Sequence, residues 1–378
     1  MKFHISSKSF TEAVNSISKA TNKSNSNPLL ECIYITSEDH TLTLRASNLE
    51  IVAEKSIPIK GEINGKVLVK ASVFSKLLNT FSKSAENLTI EKDGNVLNIS
   101  CSEDTFQIDV LNEDHFPNLP NTTTNTNKNK TLEINKETLI ENIRTVSFAS
   151  ATSEIKPEIA SVFMYTKEGF LYTVATDSYR LAEKKVYIEG LVEDFSTIIP
   201  VKNISIVLSI LEDVKDEGVT ISPYDDGVIF SSKDTNIAIR TINGTFPDYK
   251  QLFPKAYTFN INLNKSEIIN ALQLTTFIAT NYAFCNIKSE KEKGLLKVTA
   301  KENNIGSTKK SLKVCFEEEN EEKQEDFEVN YNSNYFLDGL QKINNENIKI
   351  NFTTVSKPIF ISSPNDTSFV YLLMPLNR

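Results

Sequence analysis

Three stretches decide the fold: FHISSKSFTEAVNSISKA (residues 3–20), LEINKETLIENIRTVSFA (132–149) and INLNKSEIINALQLTTFIA (261–279). Each reads as a short alternating strand, a polar turn and an amphipathic helix. Setting Ile5, Ile134 and Leu263 equivalent places successive copies 129 residues apart. In that register Phe10, Leu139 and Ile268 coincide, as do Val14, Ile143 and Leu272. Positions four apart share a helix face, so each copy predicts a helix with one apolar stripe and one polar face.

The same period recurs further along. ASNLEIVAEK (46–55) and ATDSYRLAEK (175–184) are again 129 apart, with LLKVTAKE (295–302) as a worn third counterpart. A later helix repeats as SVFSKLLNTF (72–81), NISIVLSIL (203–211) and SNYFLDGLQKI (333–343), aligning Phe74, Ile204 and Phe336. Phe116-Pro117-Asn118 and Phe246-Pro247-Asp248 close the first two copies 130 apart. Self-similarity at a fixed period predicts three tandem domains, set at 1–125, 126–253 and 254–378. TLTLRAS (41–47) alternates, while LTIEKDGNVLNIS (88–100) and GVIFSSKDTNIAIRTI (227–242) read as paired strands around Asp93-Gly94 and Lys233-Asp234. Each domain is therefore expected to be α+β, two helices packed on antiparallel sheets. NTTTNTNKNK (121–130) reads as a polar linker, with a second near Leu252-Phe253-Pro254-Lys255. EEENEEKQED (317–326) reads as a solvated hairpin loop, an acidic interaction patch being the alternative.

Composition narrows the chemistry. The 378-residue chain carries a formal charge of -8, distributed as -3, -5 and 0 over the three expected domains. None is a basic nucleic-acid domain, so attraction for phosphate would need charges sorted to one face. Cys32, Cys101, Cys285 and Cys315 stand far apart, which argues against a disulfide scaffold or structural zinc. No signal peptide and no membrane span is expected, and a reducing cytoplasm fits. His4, His40 and His115 form no catalytic or metal motif, and phosphate loops and nucleophile elbows are absent. Asp177, Asp225 and Asp226 lie in turn-like sequence, where solvated turn carboxylates are the plain reading.

The chain resembles the bacterial DNA polymerase III beta subunit family, the sliding clamps. The likeness rests on SNPLL (26–30), SNLE (47–50), HFPNLP (115–120), TVATDSYRLA (173–182), INGTFPDYKQLFPK (242–255) and YLLMPLNR (371–378). It implies a non-catalytic, cofactor-free, cytoplasmic and nucleoid-associated protein. A head-to-tail homodimeric ring would encircle double-stranded DNA, bind it without reading sequence, and make the replicative polymerase processive. A hydrophobic pocket would dock peptides of the DNA polymerase III alpha subunit, the clamp loader delta subunit, other polymerases and repair proteins.

Carried over position by position, that pocket comprises Lys156 and Ile159, then Thr176, Ser178, Tyr179, Arg180 and Leu181. Pro247 and Leu252 follow, with Leu372, Met374, Pro375 and Leu376 from the C-terminal stretch. Ser178-Tyr179 stands where the family commonly has Gly-His, Lys156 where Arg is usual, and Leu376 where Met is frequent. Basic residues expected to face DNA are Lys19, Lys23, Lys76, Lys83, Arg144, Lys202, Lys265 and Lys342, with Ser24 beside Lys23 at a family contact position. Ring closure would join an edge strand of the first domain to one of the third. Phe106, backed by Leu77 and Leu78, is expected on one side, with Ile268 and Leu272 on the other. Two competing readings are a divergent scaffold that keeps the pocket but no longer rings DNA, and a hydrolase built on the turn carboxylates.

Overall fold

The computed structural model describes residues 1–22, 27–81, 87–102, 104–111, 116–118, 131–189, 195–279, 283–318 and 325–376. Among these, helices come two to a repeat: Ser7–Ser18 (α1) and Ala71–Phe81 (α2), Lys136–Ser147 (α3) and Val201–Asp213 (α4), Lys265–Ile278 (α5) and Ser333–Gln341 (α6). The stripes read from the sequence are core: Phe10, Val14, Leu139, Ile143, Ile268 and Leu272 are all buried. Phe10 packs edge-on against Phe3 and Phe74, with centroids 6.0 and 5.5 Å away. Apolar burial on one helix face is what holds such helices to their sheets.

The chain forms two compact units, Met1–Ile140 with Glu193–Asn243, and Glu141–Val192 with Gly244–Arg378. Both cut through the central sequence repeat, because the sheets do not respect repeat boundaries. In the first unit an eight-stranded sheet runs Leu132–Asn135, Gly218–Tyr224, Gly227–Ser231, Thr235–Arg240, Ile51–Pro58, Thr41–Ser47, Cys32–Glu38, Gly65–Lys70. Its seam joins the last strand of repeat two to a strand of repeat one, pairing Ile239 with Ile51 and Ala238 with Val52. In the second unit Phe369–Leu373 pairs in the same antiparallel sense with Arg180–Tyr187, matching Leu373 to Arg180 and Leu372 to Leu181. A lysine closes each seam 129 residues from its counterpart. Lys55 Nζ meets Asp234 at 3.0 Å, and Lys184 Nζ meets Ser368 Oγ at 2.8 Å.

A polar clip also repeats at this spacing, and sequence patterning alone missed it. The first residue of the leading helix in each repeat reaches the chain end of the trailing helix. Ser7 Oγ donates to the Phe81 carbonyl at 3.3 Å, Lys136 Nζ to Val214 at 2.7 Å and Lys265 Nζ to Ile343 at 2.8 Å. Backbone N–H groups of Lys136 and Lys265 donate to Glu217 and Glu346, each at 2.7 Å. An ammonium at a helix C-terminus satisfies an orphan carbonyl and complements the helix dipole. Asn135 and Asn264, one residue earlier, accept the N–H groups of Thr138 and Glu267 at 3.1 Å.

Lys136 is buried, so its removal leaves the Val214 carbonyl without a partner. Lys136→Met is expected to cost about 1–3 kcal/mol, the range for a buried acceptor left unsatisfied. A lowered urea midpoint checks this, and an unchanged midpoint would show that water replaces the ammonium.

Candidate partner-binding site and helix faces

The predicted pocket residues all belong to the second unit. Its centre is a tight turn between the strands Phe170–Thr176 and Arg180–Tyr187. Thr176 Oγ1 donates to the Arg180 carbonyl at 2.6 Å and accepts the Ser178 N–H at 3.1 Å. Asp177 Oδ1 accepts the N–H groups of Tyr179 and Arg180 at 2.9 and 3.0 Å. Asp177 is thus a turn carboxylate bound to its own backbone, as its sequence context implied. Ser178 sits at φ +78°, the left-handed region where a side chain is disfavoured and glycine is at ease. That geometry explains why glycine suits this position, and why serine tolerates it only with the turn fully hydrogen-bonded.

The C-terminal strand lies against this turn. Met374 N–H donates to the Tyr179 carbonyl at 2.9 Å, continuing the seam past Leu373, and Leu376 N–H donates to Asn330 at 2.8 Å. Met374, Pro375 and Leu376 remain partly exposed, while Leu181 and Leu372 are buried beneath. Arg180 does not point to solvent. Its guanidinium donates to Asp177 at 2.9 Å and to Asp338 at 2.6 Å, and lies 4.0 Å from the Tyr335 ring centre. Burial works to lower its pKa, but Asp338, Tyr371 and Asp177 outweigh burial and hold it above the usual value. Arg180 therefore fastens the turn to α6 rather than lining an open rim. Tyr371 donates to the Tyr335 carbonyl at 2.7 Å, and a methyl group added at Gly339 would fall 2.2 Å from its ring.

Two loops carry the remaining positions. Lys156 is exposed and Ile159 buried, in a turn where the Ile159 and Ala160 N–H groups both donate to the Lys156 carbonyl at 3.2 Å. Pro247 and Leu252 are exposed on the segment that follows Gly244. Glu158 packs on Gly244, so these loops adjoin. Phe246 stacks on Phe163 at 4.9 Å, and Tyr249 binds Glu183 and Tyr165 beneath. Burial pushes the Tyr165 phenol up to about 12, so that hydroxyl keeps its proton at neutral pH. The seam thus gathers Thr176 to Leu181 with Leu372 to Leu376, and the two loops gather Lys156, Ile159, Pro247 and Leu252.

The basic residues read toward DNA fare unevenly. Lys19 Nζ pairs with Asp213 at 2.6 Å and Lys202 with Glu50 at 3.0 Å. Lys265 is the helix clip described above, and Lys342 lies 5.4 Å from the Phe148 ring centre. Lys76 and Arg144 are exposed on α2 and α3. Lys23 and Lys83 lie outside the described residues. The cleft beside α1 holds Lys19, Lys55 and Lys215 against Asp213, Asp234 and Glu12, each cation with a carboxylate partner. One expectation is corrected: Ile268 and Leu272 are fully buried and cannot face another chain, whereas Leu78 is buried, as a residue behind Phe106 would be. Exposed instead are Leu274 and Phe277 of α5, while Phe106 is partly open beside Phe81. The stripe spacing of α5 marked its inner face, and the outer apolar pair carried no periodic signal.

Three family profiles match the chain: the DNA polymerase III beta subunit N-terminal domain over residues 1–120, the central domain over 133–248 and the C-terminal domain over 250–377. The chain belongs to the DNA polymerase III beta subunit family. Among members of this sliding-clamp family, a beta sliding clamp of Staphylococcus aureus is 25% identical over 384 residues, covering 100% of this chain and 99% of that protein. The DNA polymerase sliding clamp of Bacillus subtilis superposes with a TM-score of 0.90 at 24% identity, over 100% of this chain and 99% of that one. The beta subunit of Thermotoga maritima gives 0.88 at 22% identity, with 100% and 99% covered. Among the described residues no group of His, Cys, Asp and Glu could hold a metal ion, and no helix is long and apolar enough to cross a membrane.

Gly339→Ala is expected to force Tyr371 aside, costing about 1–3 kcal/mol as overpacking does. Thermal unfolding measures that cost, and displaced Met374 resonances in the folded variant would show the strain reaching the C-terminal strand.

Proposed function

We propose that the chain is a non-catalytic processivity clamp, a head-to-tail homodimeric ring that encircles duplex DNA and tethers the replicative polymerase. One observation carries the assembly. Within the chain, the last strand of repeat two pairs with Ile51–Pro58, and the last strand of repeat three pairs with Arg180–Tyr187. The same rule leaves Asp104–Asp109 of repeat one and Gly306–Lys313 of repeat three as sheet edges. A second copy would supply the third joint, and a head-to-tail joint of this kind forms a ring when its rotation closes. Exposed edges invite strand addition unless they are covered.

The two edges complement one another. Asp104 and Asp109 are exposed on the first, Lys309, Lys310 and Lys313 on the second. Phe106 accompanies the acidic edge, and Leu274 and Phe277 flank the basic one on α5. Opposite charges fix register and partner while apolar contact supplies affinity. Two copies per ring is what family membership implies.

The peptide pocket reading rests on the seam turn and the partly exposed Met374-Pro375-Leu376. An adaptable thioether over a buried Leu181–Leu372 floor suits short apolar segments of varied partners. The alpha subunit of DNA polymerase III, the clamp loader delta subunit, and other polymerases and repair proteins are the expected owners of such segments. The duplex would be held by topology with few phosphate contacts, since several helix lysines already have carboxylate partners. Such surface pairs are weak and can exchange for phosphate. Work on DNA sets the protein in the cytoplasm, at the nucleoid.

Small-angle scattering with absolute mass is expected to give twice the 42.5 kDa chain mass and a distance distribution with a central void. Lys309→Glu with Lys310→Glu is expected to yield monomer, and adding Asp104→Lys with Asp109→Lys to restore the dimer. A folded monomer in all variants would favour the scaffold reading. For the pocket, Met374→Ala is expected to weaken a clamp-binding peptide by about 2 kcal/mol or more, as central anchors do. Leu181→Ala adds to this but removes a core side chain, so its fold needs a separate check. Unchanged peptide affinity would remove the pocket assignment.

A further inference from the structure

The turn that builds the peptide pocket occurs twice. Shifting Thr176 to Leu181 back by 129 gives Ser47 to Val52, and the hydrogen bonds repeat one for one. Ser47 Oγ donates to the Ile51 carbonyl at 2.9 Å and accepts the Leu49 N–H at 3.1 Å. Asn48 Oδ1 accepts the N–H groups of Glu50 and Ile51 at 3.0 and 2.7 Å. Leu49 takes φ +74°, where Ser178 has +78°. The seam repeats as well: Arg240 N–H donates to the Glu50 carbonyl at 2.9 Å, as Met374 does to Tyr179 at the same distance. Tyr34 stacks on Phe116 at 5.4 Å, as Phe163 does on Phe246 at 4.9 Å, so Pro117 takes the place of Pro247.

A cavity of about 360 Å³ opens at this second turn, lined by Leu49, Glu50, Val52, Pro117, Ala238 and Arg240 among others. These are the counterparts of Ser178, Tyr179, Leu181, Pro247, Leu372 and Met374. The lining residues differ in chemistry where the backbone does not. Arginine replaces methionine, the floor shrinks to Val52 and Ala238, and Asp225 and Asp226 stand exposed on the wall. Glu50 is already engaged: burial would raise its pKa, but Asn203 at 2.8 Å and Lys202 at 3.0 Å outweigh burial and keep it ionised.

We propose that this cleft is a second peptide-docking site, which takes a short extended segment with a small aliphatic side chain and an adjacent arginine or lysine. The aliphatic group fits the Val52 and Ala238 floor beside Leu49, and the cation meets Asp225 and Asp226. Nucleic acid does not suit it, because carboxylates outnumber the Arg240 guanidinium in the lining. The class of occupant rests on the pocket reading above, whereas the cleft itself rests on geometry alone. Partners that engage both sites would gain by linkage what each site lacks singly.

The test uses the full chain and a fluorescein-labelled hexapeptide pool with two arginines spaced by one residue, the other positions being Ala, Leu, Val or Ser. A matched pool carries glutamate in place of arginine. Saturable binding of the arginine pool is expected, reduced about tenfold or more by Asp225→Lys with Asp226→Lys, and unaffected by Met374→Ala. The two aspartates lie on an exposed turn, and Leu49→Gly, which suits the left-handed backbone, gives an independent variant expected to weaken binding. The proposal is overturned if no saturation appears by about 1 mM, if the glutamate pool binds equally, or if Met374→Ala alone abolishes binding. A clamp-binding peptide titrated in parallel reports on the Met374 pocket, so failure of one site is distinguishable from failure of the other.

Discussion

Everything in this molecule hangs on one kind of joint, the antiparallel pairing of the last strand of one repeat with an edge strand of the repeat before it. Ile239 opposite Ile51 and Leu373 opposite Arg180 are the same interaction made twice. Backbone pairing of this sort has no sequence signature, because main-chain donors and acceptors are common to all residues. Its energetic consequence is large. Each seam converts two short sheets, each with an exposed edge, into one long sheet with a buried interior. The compact units follow the seams rather than the repeats for this reason. It also places a turn beside each seam; Leu49 and Tyr179 stand exposed at the two turns, and a cavity opens at the first.

How much of this was legible beforehand depended on whether a feature has a period. The 129-residue offset and the apolar stripes were readable, since burial on one helix face imposes a spacing on Phe10 and Val14 and on their counterparts. Strand pairs such as those around Gly94, at φ +53°, announced themselves through turn chemistry. Lys136 and Lys265 were not readable as clips. A lysine opening a helix looks like a solvated charge until its carbonyl partner, almost eighty residues on, is known. Nor was it readable that Lys19 meets Asp213 and that Lys265 meets the Ile343 carbonyl. Ile268 and Leu272 were offered to an interface because apolarity was visible and direction was not.

The residues proposed for the pocket were named through resemblance, and their physical roles in the structure divide sharply. Leu181 and Leu372 are floor, buried and structural; Arg180 is a strut between the turn and α6; Met374, Pro375 and Leu376 are the surface. Motif matching treats these as one set. Burial separates them, and it assigns adaptability to the few side chains that can still move. Ser178 belongs to neither class, since its contribution is a backbone conformation.

Repeat architecture explains why two turns with identical hydrogen bonding carry different surfaces. Duplicated backbones begin with the same geometry, and the strand pairing that stabilises each copy preserves it. Side chains at the open end of the turn make no contribution to the seam, so they are free to diverge while Ser47, Asn48, Thr176 and Asp177 stay locked to backbone. Leu49 shows the strength of that lock. A leucine, half exposed, occupies a left-handed conformation costing about 1–2 kcal/mol, because abandoning it would break four hydrogen bonds to Ser47 and Asn48. The backbone therefore presents the same turn at both seams, and the surface around it is set by the side chains: methionine over leucine at one, arginine and aspartate around valine and alanine at the other.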